Sequence, residues 1–456
     1  MTQVASDTAK SHAADQQQAL LGPGGTARAR EPAVHPRAQW FPQAGLGLFI
    51  HWGIAAVHGN VDLSWGMMAH TPWDTSAGGA NKITPAQYWR LAEQFHPEHY
   101  DPERWLRPAA EAGFQYAVMT AMHHDGYTLW PTRYGELGVH THLGGRDLVG
   151  PYVEACRRYG LKVGLYYSPP DWYFDRAYMS FNYGSADPKR FPGRPAFDTH
   201  HRPAQLPPEP AEHAARRRAW RHGRVEELLT RYGRIDLLWL DGGVHDNELR
   251  DLARRLQPGL VINSRSCDGD YEATECQLPK QPFAGWLETC HCWQASSILT
   301  PAGTPADYWG YLSEEQYKPA AWLIQSLVHL RAWGGNLLVN ISPRADGSLP
   351  AVVYERMEEV AAWMRVHRAA VLDTTAGGWP ARSNVPVTVR GRTWYLHLLP
   401  QSPAPVILRG VEPPVCAWLV ASGAEVPWDW QAGELRIQPA ATTRHGPVDV
   451  IALQWV

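Results

Sequence analysis

Nothing in the chain reads as a cysteine metal site, a membrane span or a polyelectrolyte partner. Its six cysteines are Cys156, Cys267, Cys276, Cys290, Cys292 and Cys416, and none forms a C-x-x-C pair. Cys290 and Cys292 flank a single histidine, a spacing too tight for a tetrahedral zinc site. No apolar stretch reaches the roughly 18 residues of a membrane helix. Net charge is −3 and charged residues make up 19%, which excludes the electrostatic footprint of a nucleic-acid or anionic-membrane binder. The N-terminus shows no basic region followed by an apolar run, so no signal peptide is visible. With few scattered cysteines, a reduced cytoplasmic chain is the expectation.

Aromatic residues are plentiful: 22 Trp and 19 Tyr in 456 residues. Their flat faces stack on the C–H faces of sugars, and their N–H and O–H tips find polar partners. Core filling accounts for many of them. The length suits an α/β barrel of roughly 250 residues plus a smaller partner.

Residues 1–36 carry few large apolar groups and read as a flexible tail. From about residue 37 a strand–loop–helix pattern repeats. Strands are expected at Leu46–His51, Tyr116–Met122, Lys162–Tyr167, Ile235–Leu240, Leu260–Asn263, Trp286–Thr289 and Asn336–Ile341. Helices are expected at Thr84–Phe95, Arg146–Tyr159, Glu212–Tyr232, Asp246–Leu256, Ser313–Trp333 and Ala351–Val371, where apolar residues fall at helical spacing. Thr84 followed by Pro85 is a good helix start. About eight such units argue for a closed parallel barrel over residues 37–371. Residues 173–211, rich in Pro, Arg, His and Asp, read as a long excursion over the barrel's active face. Residues 372–456 carry short β-rich segments between turns, which read as an antiparallel β-sandwich. The fold class is therefore α/β: a (β/α)8-like barrel followed by a C-terminal antiparallel β-sandwich.

The chemistry concentrates at strand ends, where a barrel places catalytic groups. The apolar run Ile235–Leu240 stops at Asp241-Gly242-Gly243, beside Trp239. The first strand ends in His51-Trp52-Gly53, the second in His123-His124-Asp125-Gly126, the third in Tyr166-Tyr167-Ser168, and the fifth in Asn263-Ser264-Arg265. Histidines, an arginine and aromatics converging on one mouth suit a sugar ring's hydroxyls and apolar face. Neighbours on an extended chain point opposite ways, so only one of His123 and His124 points inward unless the backbone turns. Gly126 permits that turn. The bland readings are a helix-capping Asp241 and structural histidines; repetition of the theme across five strand ends favours a pocket.

These pieces resemble the α-L-fucosidases of glycoside hydrolase family 29. The resemblance rests on GLGLFIHWG (45–53), TAMHHDGYTLWPTRY (120–134), GRDLVGPYVEACRRYGLKVGLYYSPPDW (145–172), IDLLWLDGG (235–243), WGY (309–311) and GGNLLVNISPRADGSLP (334–350). It implies a barrel plus sandwich and a retaining hydrolysis that needs no metal or organic cofactor. It implies Asp241 as nucleophile, and His51, Trp65, His123, His124, Tyr167, Trp239, Arg265 and Trp309 as sugar-binding positions. Glu275, in Gly269-Asp-Tyr-Glu-Ala-Thr-Glu275, falls on the acid/base position, with Glu288 as the main rival and Glu272 third. Family members usually carry Glu-Trp-Tyr where this chain has Ser64-Trp65-Gly66, and Lys where it has Met122. The segment between Glu288 and Trp309 is also longer than the resemblance implies.

The implied function is exo-release of terminal α-L-fucose from fucosylated glycosides by double displacement. The alternatives are a hydrolase of a configurationally related sugar such as an α-L-galactoside, and a non-catalytic carbohydrate-binding paralogue. A metal-dependent barrel hydrolase using His123, His124 and Asp125 is a third reading. The expected partner is a carbohydrate, with no nucleic acid and no membrane; homo-oligomer assembly stays open.

Overall fold

The computed structural model describes residues 33–71, 83–242, 244–279, 281–296, 307–439 and 446–456. Residues 1–32, most of the expected tail, lie outside the described residues, as do Gly243 and residues 297–306.

Eight parallel strands form one sheet: β1 Leu46–Ile50, β2 Tyr116–Met122, β3 Lys162–Tyr167, β4 Leu237–Leu240, β5 Val261–Ile262, β6 Tyr271–Glu275, β7 Trp286–Cys292 and β8 Asn336–Ile341. Their order is β5-β4-β3-β2-β1-β8-β7-β6. An isolated parallel bridge between Asn263 and Tyr271 brings the two ends together, so the sheet is a nearly closed barrel. β1, β2 and β8 are buried along their whole length, which is why they read as largely apolar runs, interrupted only by Thr120 in β2 and by Asn336 and Asn340 in β8.

Alternate side chains along each strand divide the core in two. Phe49, Tyr116, Val118, Tyr166, Leu237, Trp239, Tyr271, Cys290 and Leu338 fill the barrel interior together with Phe41. A larger cluster, including Leu48, Ala117, Leu165, Tyr167, Leu238 and Leu337, lies between the strands and the surrounding helices. Two short 3-10 turns, Pro36–Ala38 and Phe41–Gln43, precede β1. Phe41 packs 4.3 Å from the Tyr271 ring, so this segment plugs the base of the barrel. Within the last residues of the expected tail, Ala33 packs against the same interior cluster while Val34 is exposed.

Some helix starts follow directly from capping chemistry. Thr84 accepts from the Gln87 amide and Gln87 answers with its side chain, a reciprocal cap. The helix expected from Ser313 begins at Ala320, after Pro319, because the proline ring fixes the start. The helix Pro102–Glu111 was not foreseen, its pattern obscured by an internal Pro108, and neither were the single-turn helices Ala55–His58, Val139–His142 and Trp172–Asp175.

After the barrel come two antiparallel sheets, a five-stranded one and a three-stranded one. The first contains β9 Thr375–Ala376, β10 Val387–Arg390, β11 Thr393–Leu398, β13 Cys416–Leu419 and β16 Asp449–Gln454; the second contains β12 Val406–Arg409, β14 Trp428–Gln431 and β15 Glu434–Ile437. Val387, Leu396, Leu408, Leu435, Ile437, Ile451 and Leu453 share one buried cluster, the core of the sandwich. Among the described residues no helix is long and apolar enough to cross a membrane.

Candidate active site

The C-terminal ends of β1 to β6 converge on Asp241. Its strand end is fixed from β5: Asn263 accepts from the Leu240 amide at 2.9 Å and donates to the Leu240 carbonyl at 3.0 Å, extending the ladder beyond the short strand. Asp241 Oδ1 accepts from the Gly242 amide at 2.8 Å and from Arg265 Nε and Nη2 at 3.1 and 2.9 Å. Its Oδ2 accepts from the Tyr166 hydroxyl at 2.8 Å and lies 3.6 Å from His124 Nε2. Burial alone would raise the Asp241 pKa. Arg265, His124, His123 and the Tyr166 hydroxyl outweigh it and hold the carboxyl well below the usual carboxylate range.

The same Arg265 Nη2 lies 2.6 Å from Glu275 Oε1. One nitrogen therefore touches both carboxylates, and their oxygens are no further apart than those two contacts laid end to end. Burial disfavours the guanidinium's charge, but Glu275 and Asp241 more than offset it.

The two histidines of β2 both reach the pocket. Gly126 has φ +81°, and a Cβ there would meet Asp171 Oδ1 at 2.3 Å, so only glycine fits this turn. His123 and His124 end 4.3 Å apart between ring centroids. His123 stacks on Tyr166 at 5.4 Å with a 4° interplanar angle, and its Nδ1 lies 2.5 Å from Ser64 Oγ. Ser64 also accepts from the Asp125 amide at 2.9 Å. His124 packs against Trp65 and Trp172. His51 sits beside Trp309, 5.1 Å between centroids, and burial pushes its pKa down to about 4. The Trp309 carbonyl is tied to β8 through Asn340 and Ser342.

Two expected positions need correcting. Tyr167 is fully buried on the outer face of β3, in the field of Arg224 and Arg221. Its neighbour Tyr166 is the tyrosine on Asp241, because adjacent strand residues face opposite sides. Trp239 is 1% exposed and lies under the site: its ring stacks on Tyr166 at 5.5 Å, and the Arg265 guanidinium sits 5.1 Å above it. Tyr166 and Ser168 were singled out only as part of the third strand end and Ser64 only as a departure, none with a site role, and Asn340 was missed; strand parity is the sequence signal that bears on Tyr166.

Of the three acid candidates, the structure brings only Glu275 to Asp241. Glu272 alternates with Tyr271 to the other face of β6 and accepts from Ser264 Oγ at 2.9 Å. Glu288 lies in the barrel interior, accepting from Tyr116 Oη at 2.5 Å, Trp239 Nε1 at 2.9 Å and Tyr271 Oη at 3.1 Å. Tyr116 opens β2, at the end of the barrel away from the pocket. Burial pushes Glu288 up to about 7, a value suited to an acid, but geometry comes before pKa in choosing one.

Asp125 does not join the histidines. It accepts from Tyr88 Oη at 2.7 Å and from the Tyr127 amide at 2.8 Å, and burial pushes it up to about 6. The carboxylate whose oxygen lies within 4.8 Å of ligand atoms on both His123 and His124 is Asp241. A guanidinium already compensates that carboxylate, which disfavours a cation there. A second group, Asp175, Glu209 and His213, is likewise bridged by Arg217, at 2.7 Å from Asp175 and 2.6 Å from Glu209.

The excursion at 173–211 begins at the pocket wall, since Trp172 packs on His124. It then docks on residues 63–71 and 83–88 through the Ala69–Asn182 bridge, a 2.8 Å contact from His201 Nε2 to the Met67 carbonyl, and the Ala86 amide on the Thr199 carbonyl.

A parallel barrel with paired carboxylates and an arginine at its rim, walled by histidines and aromatics, defines the class of barrel glycoside hydrolases. A family model described as alpha-L-fucosidase matches residues 16–369, and the chain belongs to that family. It is 26% identical to the tissue alpha-L-fucosidase of Rattus norvegicus over 393 residues, covering 79% of this chain and 74% of the relative. It is also 26% identical to the plasma alpha-L-fucosidase of Homo sapiens, covering 78% and 72%. Among solved structures, alpha-L-fucosidase isoenzyme 1 from Paenibacillus thiaminolyticus superposes with a TM-score of 0.74 at 28% identity, covering 92% of this chain and 98% of that one. A family 29 alpha-L-fucosidase from Bacteroides thetaiotaomicron shares the fold at a TM-score of 0.74 and 22% identity, covering 95% and 97%.

These relatives overturn the cytoplasmic expectation. They include plasma enzymes, and plasma is an extracellular fluid. A low cysteine count and the composition of the N-terminal residues do not specify a compartment.

Proposed function

We propose that the protein is a retaining exo-glycoside hydrolase that releases terminal α-L-fucose from fucosylated glycosides. Asp241 attacks C1 and forms a glycosyl-enzyme, while Glu275 gives its proton to the departing oxygen. Glu275 then takes a proton from water, which releases the sugar. His51, His123, His124, Trp65 and Trp309 hold the ring, and Tyr166 and Arg265 hold the nucleophile.

The observation that carries this reading is the single Arg265 nitrogen in contact with both carboxylates. Those two contacts put a ceiling on the carboxylate separation that lies below the ~6.5–9.5 Å of inverting enzymes and is compatible with the ~5–5.5 Å of retaining ones. A related enzyme from Bacteroides thetaiotaomicron is described as a trapped covalent intermediate with 2-fluoro-fucosyl fluoride, which agrees with the proposal. Residues 37–371 are proposed to carry the chemistry and residues 372–456 to form the flanking sandwich, as strand membership of separate sheets supports.

The experiment is a panel of aryl glycosides: α-L-fucoside, α-L-galactoside and β-D-galactoside. Preferential turnover of the α-L-fucoside is expected. Preference for the α-L-galactoside would replace the substrate, and no turnover of any would reduce the chain to a binding protein.

A further inference from the structure

The proton positions on two pocket histidines follow from hydrogen-bond bookkeeping. Ser168 Oγ lies 2.6 Å from His124 Nδ1 and 2.6 Å from the Pro170 carbonyl. A carbonyl only accepts, so the one hydroxyl proton of Ser168 goes to Pro170. Ser168 must then accept from His124, and the proton is on Nδ1. That leaves Nε2 as the nitrogen 3.6 Å from Asp241 Oδ2.

His51 is fixed by a parallel arrangement on another strand. Its Nδ1 lies 2.7 Å from Asn340 Oδ1. The Asn340 amide cannot be reversed, because its other end lies 3.0 Å from the Trp309 carbonyl and must be the NH2 group. Oδ1 therefore faces His51, and Nδ1 carries the proton. Burial disfavours the His51 imidazolium, so its Nε2 holds a lone pair. Trp309, His123 and Tyr166 surround the ring.

We propose that Asn340 and Ser168 are positioning residues that keep a proton on Nδ1 of both His51 and His124, leaving His124 Nε2 towards Asp241 and His51 Nε2 as an acceptor for the ligand. The ligand must then bring a hydroxyl free to donate to His51, and a sugar etherified at that hydroxyl is rejected. This deepens the proposed hydrolase reading and rests on it for the identity of the sugar. The lock itself is a property of the protein alone.

The test is a long-range proton–nitrogen correlation spectrum of the full chain, labelled with nitrogen-15 at histidine. It is recorded without sugar at neutral pH, and the two rings are assigned from His51→Gln and His124→Gln. The expected result is a protonated Nδ1 on both rings and an unprotonated Nε2 on His51. A neutral Nε2–H tautomer on either ring, or an imidazolium at His51, overturns the proposal. Ser168→Ala should abolish the single His124 tautomer and raise KM for an aryl α-L-fucoside at least about tenfold, with Ser168→Thr restoring both. An unchanged tautomer in Ser168→Ala also overturns it. The spectrum contains no sugar, so its outcome is independent of whether fucosides are turned over.

Discussion

Arg265 grips Asp241 at one oxygen with two nitrogens, Nε at 3.1 Å and Nη2 at 2.9 Å from Oδ1. The contact leaves Oδ2 to Tyr166 and the histidine side. It also keeps a buried carboxylate ionised where burial alone would protonate it. Arg265→Gln removes the cation and leaves the burial, so the Asp241 pKa rises. Because the ionised form is the nucleophile, the acidic limb of kcat/KM should move to higher pH by at least about one unit. A pH–rate profile on an aryl α-L-fucoside checks this; an unmoved limb contradicts it.

Glu275 and Glu288 separate by leaving group. Loss of a general acid costs roughly 10²–10⁴-fold when the leaving group needs a proton, and far less for a dinitrophenolate. Glu275→Gln should show that split. Glu288→Gln should lower both rates alike, through the indole of Trp239. Steady-state kcat/KM on two aryl fucosides distinguishes them.

Glu288 also gives the fold a pH dependence. Burial raises its pKa from 4.5 to about 7 in the folded chain. Below pH 4.5 both states hold the proton and the group contributes nothing. As pH rises through the window up to 7, the unfolded chain releases it first, so the folded state binds more protons and stability falls. The total loss is about 3 kcal/mol. In Glu288→Gln that loss should be absent, so the stability difference between the variant and the parent should drift by that amount between pH 4.5 and 7 in denaturant titrations. A constant difference contradicts the assignment.

Removing the nucleophile should be reversible by a small anion. Asp241→Gly should lose at least about 10³-fold in kcat, and azide should restore turnover by entering the vacated space on the face opposite the leaving group. The product should be the glycosyl azide of inverted configuration. Activity that survives the substitution unaided contradicts the double displacement.

Much of this was legible in sequence where burial is two-sided. Tyr116–Met122, Lys162–Tyr167 and Asn336–Ile341 are expected and observed with identical bounds, since a near-continuous apolar run of strand length reads as a buried parallel strand. β6 was not foreseen: Tyr271-Glu-Ala-Thr-Glu275 is polar at alternate positions and short, and it reads as a loop. The same parity problem hid Tyr166 behind Tyr167, because sequence does not say which of two neighbours faces in. Glu288 looked like an acid from its local motif. Its partners Tyr116 and Tyr271 come from other strands, and only the closed barrel brings them to it. Arg265 was expected to touch sugar, and its contact with both carboxylates depends on the Asn263 side chain completing the β4–β5 rim.

The most direct measurement is peptide mapping by mass spectrometry after incubating the protein with 2-fluoro-fucosyl fluoride. The fluorine slows breakdown of the glycosyl-enzyme, so the account predicts a stoichiometric fluorofucosyl adduct on the peptide containing Asp241. An adduct on another carboxylate, or turnover of fucosides with no adduct trapped at any time, would contradict it.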